Sequence, residues 1–314
     1  MNQTTPPNGR KRHAWLAATL SILVPGLGQV YCGKLLRGLA IGLAYGVAIP
    51  VVLGLLAYHG PASTIFFGFL MIAAAFGVLV AAAIDACRLA RRTRTDYGPK
   101  PYNGLGVYVL LALMIQGSSL GYALHVRGSL FEAFRVPAAS IYPNIAPNDR
   151  ILVDKTAYRK TDPQRGDLVL FKPPTEHWRT HYIKRVVALP GDTVSMEQGL
   201  LHINGRKLPL EPVEPAAVNA PEVRIDGRLL EGEFFEETNS SSKQLVFLAP
   251  PNYDAVLGFA ELTVPKYHCF VLGDNRNYSL DSRHFGPVPF AAITGRADYI
   301  YWPAHKWSRF GRLR

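Results

Sequence analysis

Two side chains and one turn in the second half of this 314-residue chain could act together chemically: an amine, an alcohol and a polar segment bounded by glycine. Lys184 lies in Tyr182-Ile-Lys-Arg-Val-Val-Ala-Leu189, where strand alternation puts Tyr182, Lys184, Val186 and Ala188 on one face and Ile183, Arg185, Val187 and Leu189 on the other. An ammonium group on an apolar face is disfavoured, so burial can lower its pKa by several units and leave a base near neutral or mildly alkaline pH. A lysine snorkelling at a strand edge fits the same pattern. Ser140 stands between Pro137-Ala-Ala and Ile141-Tyr-Pro143, and proline on both sides favours an irregular, extended backbone that presents a hydroxyl. Such an alcohol becomes a nucleophile only beside a base, and alone it is an ordinary turn residue. Residues 273–286 read Gly-Asp-Asn-Arg-Asn-Tyr-Ser-Leu-Asp-Ser-Arg-His-Phe-Gly; their Gly-Asp-Asn start also suits a tight loop, and Asp274, Asn275 and Arg276 read as residues that shape it.

Other chemistries have weaker support. His177 and His181 have the i, i+4 spacing of metal ligands on a helix, but Pro173-Pro174 and Trp178 suggest a loop, and no His-Glu-x-x-His motif is present. No Gly-x-Ser-x-Gly elbow surrounds Ser140, which argues against a Ser/His hydrolase. The three cysteines, Cys32, Cys87 and Cys269, show no Cys-x-x-Cys spacing, and Cys269 sits in an apolar strand pattern that favours burial over reactivity.

The elements that must position these residues fall into two unlike parts. Hydrophobic residues make up 48% of the chain, too many for one average soluble domain. Runs without Asp, Glu, Lys or Arg predict membrane spans near 38–58, 62–84 and 102–124, the first two separated by the His59-Gly60-Pro61 turn. Residues 14–33 are also free of these charges but carry Pro25-Gly26-Leu27-Gly28 in their middle. Basic residues should collect on the cytoplasmic side: Arg10-Lys-Arg12, Lys34 with Arg37, and the run from Arg88 to Lys100 that includes Arg91, Arg92 and Arg94. All three groups share one side only if 14–33 enters and returns, or lies in the interface, bending at 25–28. The 102–124 span then exits, and the segment at 14–33 lacks the small-x-small site of a cleaved leader.

From Phe134 onward, short alternating segments bounded by Pro, Gly, Asn and Asp predict a β-rich domain. Candidate strands lie at 150–155, 167–171, 183–188, 200–203, 246–248 and 270–272, with hairpin turns at Asn204-Gly205 and Asp226-Gly227. Residues 208–222 read as an extended loop and 231–242 as a mobile excursion. The organisation predicted is a basic cytoplasmic tail at 1–13, a multi-span anchor at 14–126 and a β-rich outer domain at 127–314 with a variable region at about 208–264. The net charge of +11 is concentrated in the flanks of the spans and in the tail at 306–314, where membrane anchoring explains it better than nucleic acid, for which no recognition motif is present.

Pro137-Ala-Ala-Ser-Ile-Tyr-Pro143, Arg165-Gly-Asp-Leu-Val-Leu-Phe171, residues 182–192 and the 273–286 stretch occur in the order of the sequence boxes of bacterial type I signal peptidase. The chain resembles that family over roughly 134–303, with the middle of the span poorly matched. Hydropathy and charge predict a helical membrane anchor of about three spans plus a re-entrant or interfacial segment, and the resemblance adds that a mainly-β catalytic domain of signal-peptidase type follows it. It further implies a multi-pass protein of the inner (cytoplasmic) membrane with the catalytic domain on the outer, periplasmic side. It implies a serine endopeptidase without metal or organic cofactor, in which Ser140 attacks the scissile carbonyl and Lys184 takes and returns the proton. Ser279 would hydrogen-bond the Lys184 amine, and Asp281 and Arg283 would form a bridge beneath the site. Ile141, Tyr182 and Ile183 would line shallow apolar pockets for a small-x-small cleavage site. Implied partners are exported preproteins, the lipid bilayer and the secretion machinery.

This sequence departs from the family at Ala138, where many members carry a serine whose hydroxyl helps to hold the oxyanion; Ile141 and Asn144 replace the usual Met and Thr. A missing donor of that kind typically costs about a hundredfold to a thousandfold in rate. Two alternatives therefore stand beside the reading: a non-catalytic membrane protein that binds preproteins or an export assembly, and a peptidase dedicated to one substrate.

Overall fold

The computed structural model describes residues 12–48, 61–93, 100–173, 180–197, 199–240, 242–249 and 258–313. The chain forms two compact units, Met1–Arg127 and Gly128–Arg314.

In the first unit, α1 (Ala14–Leu23) and α2 (Leu27–Tyr31) are separated by a break, followed by α3 (Leu35–Leu43), α4 (Pro61–Arg92) and α5 (Leu105–Ser129). The break falls where Pro25 and Gly26 were expected to bend the first segment. Gly26 adopts φ +98, and a Cβ there would lie 2.1 Å from the Gly38 carbonyl oxygen, so both conformation and close helix approach require glycine. Small residues Ala17, Ala86 and Ala90 pack with Cys32 between the helices. The buried Gln29 side chain donates to the Ala82 carbonyl and to Asp85, which also binds Arg37.

Among the described residues, one helix is long and apolar enough to cross a membrane, residues 68–92 of α4. Its apolar side chains face outward, with Phe69, Ile72 and Phe76 about two-thirds exposed, the reverse of a core helix. Ala14–Leu23, Leu35–Val47 and Leu105–Ser118 are apolar but shorter. Arg10, Lys11, His59, Gly60, Arg94 and much of the expected 38–58 span lie outside the described residues.

The second unit is mainly β. Its large sheet has the order β1 (Phe131–Arg135), β2 (Arg150–Asp154), β16 (Ile293–Trp302), β3 (Leu168–Phe171), β4 (Tyr182–Ala188), β14 (His268–Leu272) and β15 (Val288–Pro289), with β17 (Gly311–Arg312) pairing β16. A second sheet joins β13 (Phe259–Thr263), β5 (Thr193–Glu197), β6 (Leu200–Ile203) and β7 (Arg206–Lys207). A third joins β12 (Ser242–Leu248), β11 (Glu233–Asn239) and β8 (Leu210–Val213), and β9 (Arg224–Ile225) pairs β10 (Arg228–Leu229). Asn204-Gly205 and Asp226-Gly227 form the expected hairpin turns, all four residues at positive φ between β6 and β7 and between β9 and β10.

Strand β4 is central and buried on both faces. Ile183 joins a core with Ile141, Ile145, Ile151 and Val153; Val187 and Ala188 join another with Met196, Leu201 and Phe270.

Two expectations are corrected here. Residues 208–222 contain strand β8; Pro212 is tolerated because β8 is the edge of its sheet, where a missing N–H costs no ladder bond. Residues 231–242 contain β11, not a mobile excursion; Glu237 is only 2% exposed and is neutralised from elsewhere in the fold.

Candidate active site

The site is built where the loop between β1 and β2 meets β4 and the turn after β14. That loop is closed by Val136 N–H donating to the Asp149 carbonyl and Asn148 N–H donating to the Val136 carbonyl. It holds Ser140 8% exposed, with the serine carbonyl receiving the N–H of Asn275 and the Ala139 carbonyl receiving the Asn275 side-chain amide. Gly273 allows this approach: a Cβ there would lie 2.2 Å from Ser279 Oγ and 2.6 Å from the Ser140 carbonyl oxygen.

Lys184 is 4% exposed in the middle of β4, and its Nζ donates to Ser140 Oγ at 2.7 Å. Burial pushes its pKa down to about 8 from 10.5; Asp281 and Asp274 pull it up at longer range and Arg283 pushes it further down. No carboxylate forms an ion pair with the amine among the described residues. The Tyr182 ring lies 5.6 Å from Nζ on the same strand face. When the amine is neutral, its lone pair can accept the serine proton along this contact, the geometry general-base activation requires.

A layer of paired ions supports the turn. Asp281 is fully buried and accepts Gly273 N–H at 2.9 Å, while Arg283 donates to it through Nε and Nη2, each at 2.9 Å. Burial alone would raise the Asp281 carboxyl; the Arg283 bonds and charge and the Gly273 N–H outweigh it and hold the pKa below the usual range. Asp281 also caps the short helix α6 (Ser282–Phe285) through Arg283 N–H. Arg283 donates to the Arg276 carbonyl, and Arg276 pairs with Glu237 of β11 at 2.7 Å. On the opposite side of β4 from Lys184, Arg185 grips Asp274 with Nε and Nη2, both at 2.7 Å. Asn144 links this layer to the serine loop by donating to Asp274 at 2.8 Å and to the Leu245 carbonyl.

Ser279 reaches the site without the bond expected to Lys184. Its Oγ is buried and makes no hydrogen bond to Lys184 among the described residues; it lies by the Asp281 carboxyl and helps to hold that pKa down.

An apolar cavity of about 300 Å³ opens beside Ser140 and Lys184, with Val136, Leu170, Tyr182, Ile183 and Leu280 among its walls. Tyr182 and Ile183 line this cavity. Ile141 does not: it is fully buried in the core behind the loop, because the loop turns it inward to pack on Ile145 and Ile151. Ala138 contributes an exposed methyl group to the cavity and no donor. His181 lies against Phe134, with ring centroids 5.5 Å apart, and lines the cavity; His177 lies outside the described residues. Cys269 is buried in β14, and burial pushes its thiol up to about 12.

The sequence model described as "Signal peptidase, peptidase S26" matches residues 108–302. The chain belongs to this family. Among its relatives, the probable signal peptidase I-2 of Synechocystis is 31% identical over 185 residues, spanning 58% of this chain and 67% of that protein. Signal peptidase I of Leptolyngbya laminosa is 32% identical over 202 residues, spanning 62% and 80%. Signal peptidase I T of Bacillus subtilis is 32% identical over 182 residues, spanning 58% and 79%. A peptidase S26 protein is a serine endopeptidase, and the contact between Ser140 and Lys184 brings an alcohol and an amine together in this chain.

Sequence reasoning did not find Glu237, Asp149 or Arg309, nor the use of Arg185 and Asp274 as one buried pair. Alternation did put Arg185 on the face away from Lys184, the single signal that it served another purpose.

Proposed function

We propose that the protein removes signal peptides from exported preproteins by acyl transfer, with Ser140 as nucleophile and Lys184 as general base. The 2.7 Å contact between Nζ and Oγ, buried and with no carboxylate ion-paired to the amine among the described residues, carries this reading. The neutral amine accepts the serine proton as Oγ attacks the scissile carbonyl. The resulting ammonium then protonates the leaving amine, and the freed lysine activates the water that hydrolyses the ester. The oxyanion is held by backbone N–H groups, including that of Ser140, since Ala138 offers no hydroxyl. Asp281 and Arg283 fix the turn, and Ser279 lies in place to steady the lysine once substrate closes the site. Tyr182 and Ile183 restrict the cavity to small residues, which favours a small-x-small cleavage site.

The first unit anchors the enzyme. Three crossings, with the 14–33 segment returning to its own side, put the catalytic unit on the outer face of the cytoplasmic membrane, where a signal peptide held in the bilayer presents its cleavage site. The domain division at residue 127 and the meeting with the secretion machinery belong to the same proposal.

Purified wild type, Ser140→Ala and Lys184→Ala, given a preprotein in detergent or lipid, test the chemistry. Cleavage after a small-x-small site, read from the product N-terminus and abolished by either change, is the expected result. An inactive wild type that still binds the preprotein would favour the non-catalytic alternative.

A further inference from the structure

Buried backbone carbonyls need donors, and the serine loop has two immediately after its nucleophile, at Pro143 and Asn144. Both are served by one residue from the far end of the chain. Arg309 donates Nη1 to the Pro143 carbonyl at 3.2 Å and to the Asn219 carbonyl at 2.6 Å, and Nη2 to the Asn144 carbonyl at 3.1 Å and to Asp149 Oδ2 at 3.0 Å. Its side chain is 5% exposed and that of Asp149 is fully buried. Asp149 holds the same loop from within, accepting the N–H of Ala146, and holds the tail by accepting the N–H of Ala304. Ser308 and Asn219 exchange two further hydrogen bonds beside it.

The sequence reading assigned the basic tail to the membrane surface, but this arginine points into the protein. Residue 309 also lies beyond the stretch matched by the family's sequence model. Only a planar guanidinium presents enough donors, in a fixed fork, to serve three carbonyls and a carboxylate at once. The three-residue link between Ser140 and Pro143 makes the position of Oγ depend on where those carbonyls are held.

We propose that Arg309 is a positioning residue for the reaction, acting through the 143–149 segment to keep Ser140 Oγ within reach of Lys184. The proposal rests on the Ser140/Lys184 reading. A displacement of about 1 Å at a reacting atom is enough to cost roughly a hundredfold in rate.

The test uses the full-length protein in detergent with one preprotein, comparing wild type, Arg309→Ala, Arg309→Lys and the tail control Lys306→Ala, while circular dichroism follows the folded fraction. Arg309→Ala should lower kcat roughly 10- to 100-fold with KM within about twofold. Arg309→Lys, which restores charge but not the fork, should recover part of that loss and show a displaced basic limb in its pH–rate profile. Lys306→Ala should behave as wild type. Wild-type kcat in Arg309→Ala, a change confined to KM, or a kcat loss that tracks the unfolded fraction in both Arg309 variants overturns the proposal. A wild type that cleaves no preprotein would instead count against the Ser140/Lys184 reading, so the two failures are distinguishable.

Discussion

Lys184 and Arg185 are adjacent in β4 and similarly buried, yet the fold provides for them in opposite ways. Arg185 is clamped by a carboxylate with two short bonds; among the described residues Lys184 hydrogen-bonds a hydroxyl and no carboxylate. The same division extends outward. On the arginine side, and around the turn, cations are matched one for one: Arg185 with Asp274, Arg276 with Glu237, Arg283 with Asp281, Arg309 with Asp149. On the lysine side lies an apolar cavity. Burying a charge without a partner costs several kcal/mol, so the unpaired group gives up its proton at a lower pH than usual while the paired groups keep theirs. Permanent charge thus holds the scaffold, and the group that can lose its charge stands beside Ser140.

The sharpest way to break this comparison is to remove the amine. Lys184→Met should lower turnover at least a thousandfold, measured by preprotein cleavage, because no base remains beside Ser140. The same change should raise stability at pH 7 by up to roughly 3.5 kcal/mol, the cost of keeping a lysine charged where burial has lowered its pKa from 10.5 to about 8, read by denaturant unfolding. A variant both inactive and less stable would show that the lysine was an ordinary structural contact.

The paired side should respond in reverse. Asp281→Asn leaves Arg283 buried without its counter-charge and should cost about 3–5 kcal/mol in the same unfolding experiment. A loss under about 1 kcal/mol would mean that solvent screens the pair and that the layer does not brace the turn.

pH separates the two sides further. The folded-state pKa of Lys184 lies below its unfolded value, so between about 8 and 10.5 the unfolded chain binds more protons and stability rises with pH. Below about 8 the lysine's cost is fully present, and kcat should climb as pH rises through that value. The Asp281 carboxyl is also depressed, so its stabilisation is present above 3.8 and is lost as pH falls through its folded value. Cleavage rates and unfolding midpoints across pH should therefore show an alkaline rise tied to Lys184 and an acid loss tied to Asp281, the first absent from Lys184→Met.

The smallest effect expected is at Ile141. Because it packs in the core and not in the cavity, Ile141→Val should cost about 0.5–1.5 kcal/mol and leave the preferred substrate residue unchanged in peptide profiling. A changed preference would return Ile141 to the cavity wall.

The catalytic half was legible where local pattern carries the information. Alternation marked both faces of β4, and Asn-Gly and Asp-Gly marked turns that need positive φ. Ser140 and Lys184 are 44 residues apart, and their pairing came from resemblance, because neither residue alone differs from a turn serine or a snorkelling lysine. Glu237 had no such help. Its neighbourhood is acidic and read as mobile, since the Arg276 that neutralises it is supplied from 39 residues away. Pro212 hid β8 in a similar way, because whether a proline can sit in a strand depends on that strand being an edge, a property of the finished sheet.

The separation of Pro143 from Arg309 by 166 residues has a consequence in time. A ribosome adding about 5–20 residues per second needs on the order of ten to thirty seconds to make the intervening chain. Throughout that interval Ser140 has been synthesised but its loop lacks the guanidinium that closes it. The order of synthesis therefore leaves the Pro143 carbonyl without this donor until long after the residues around it have been made.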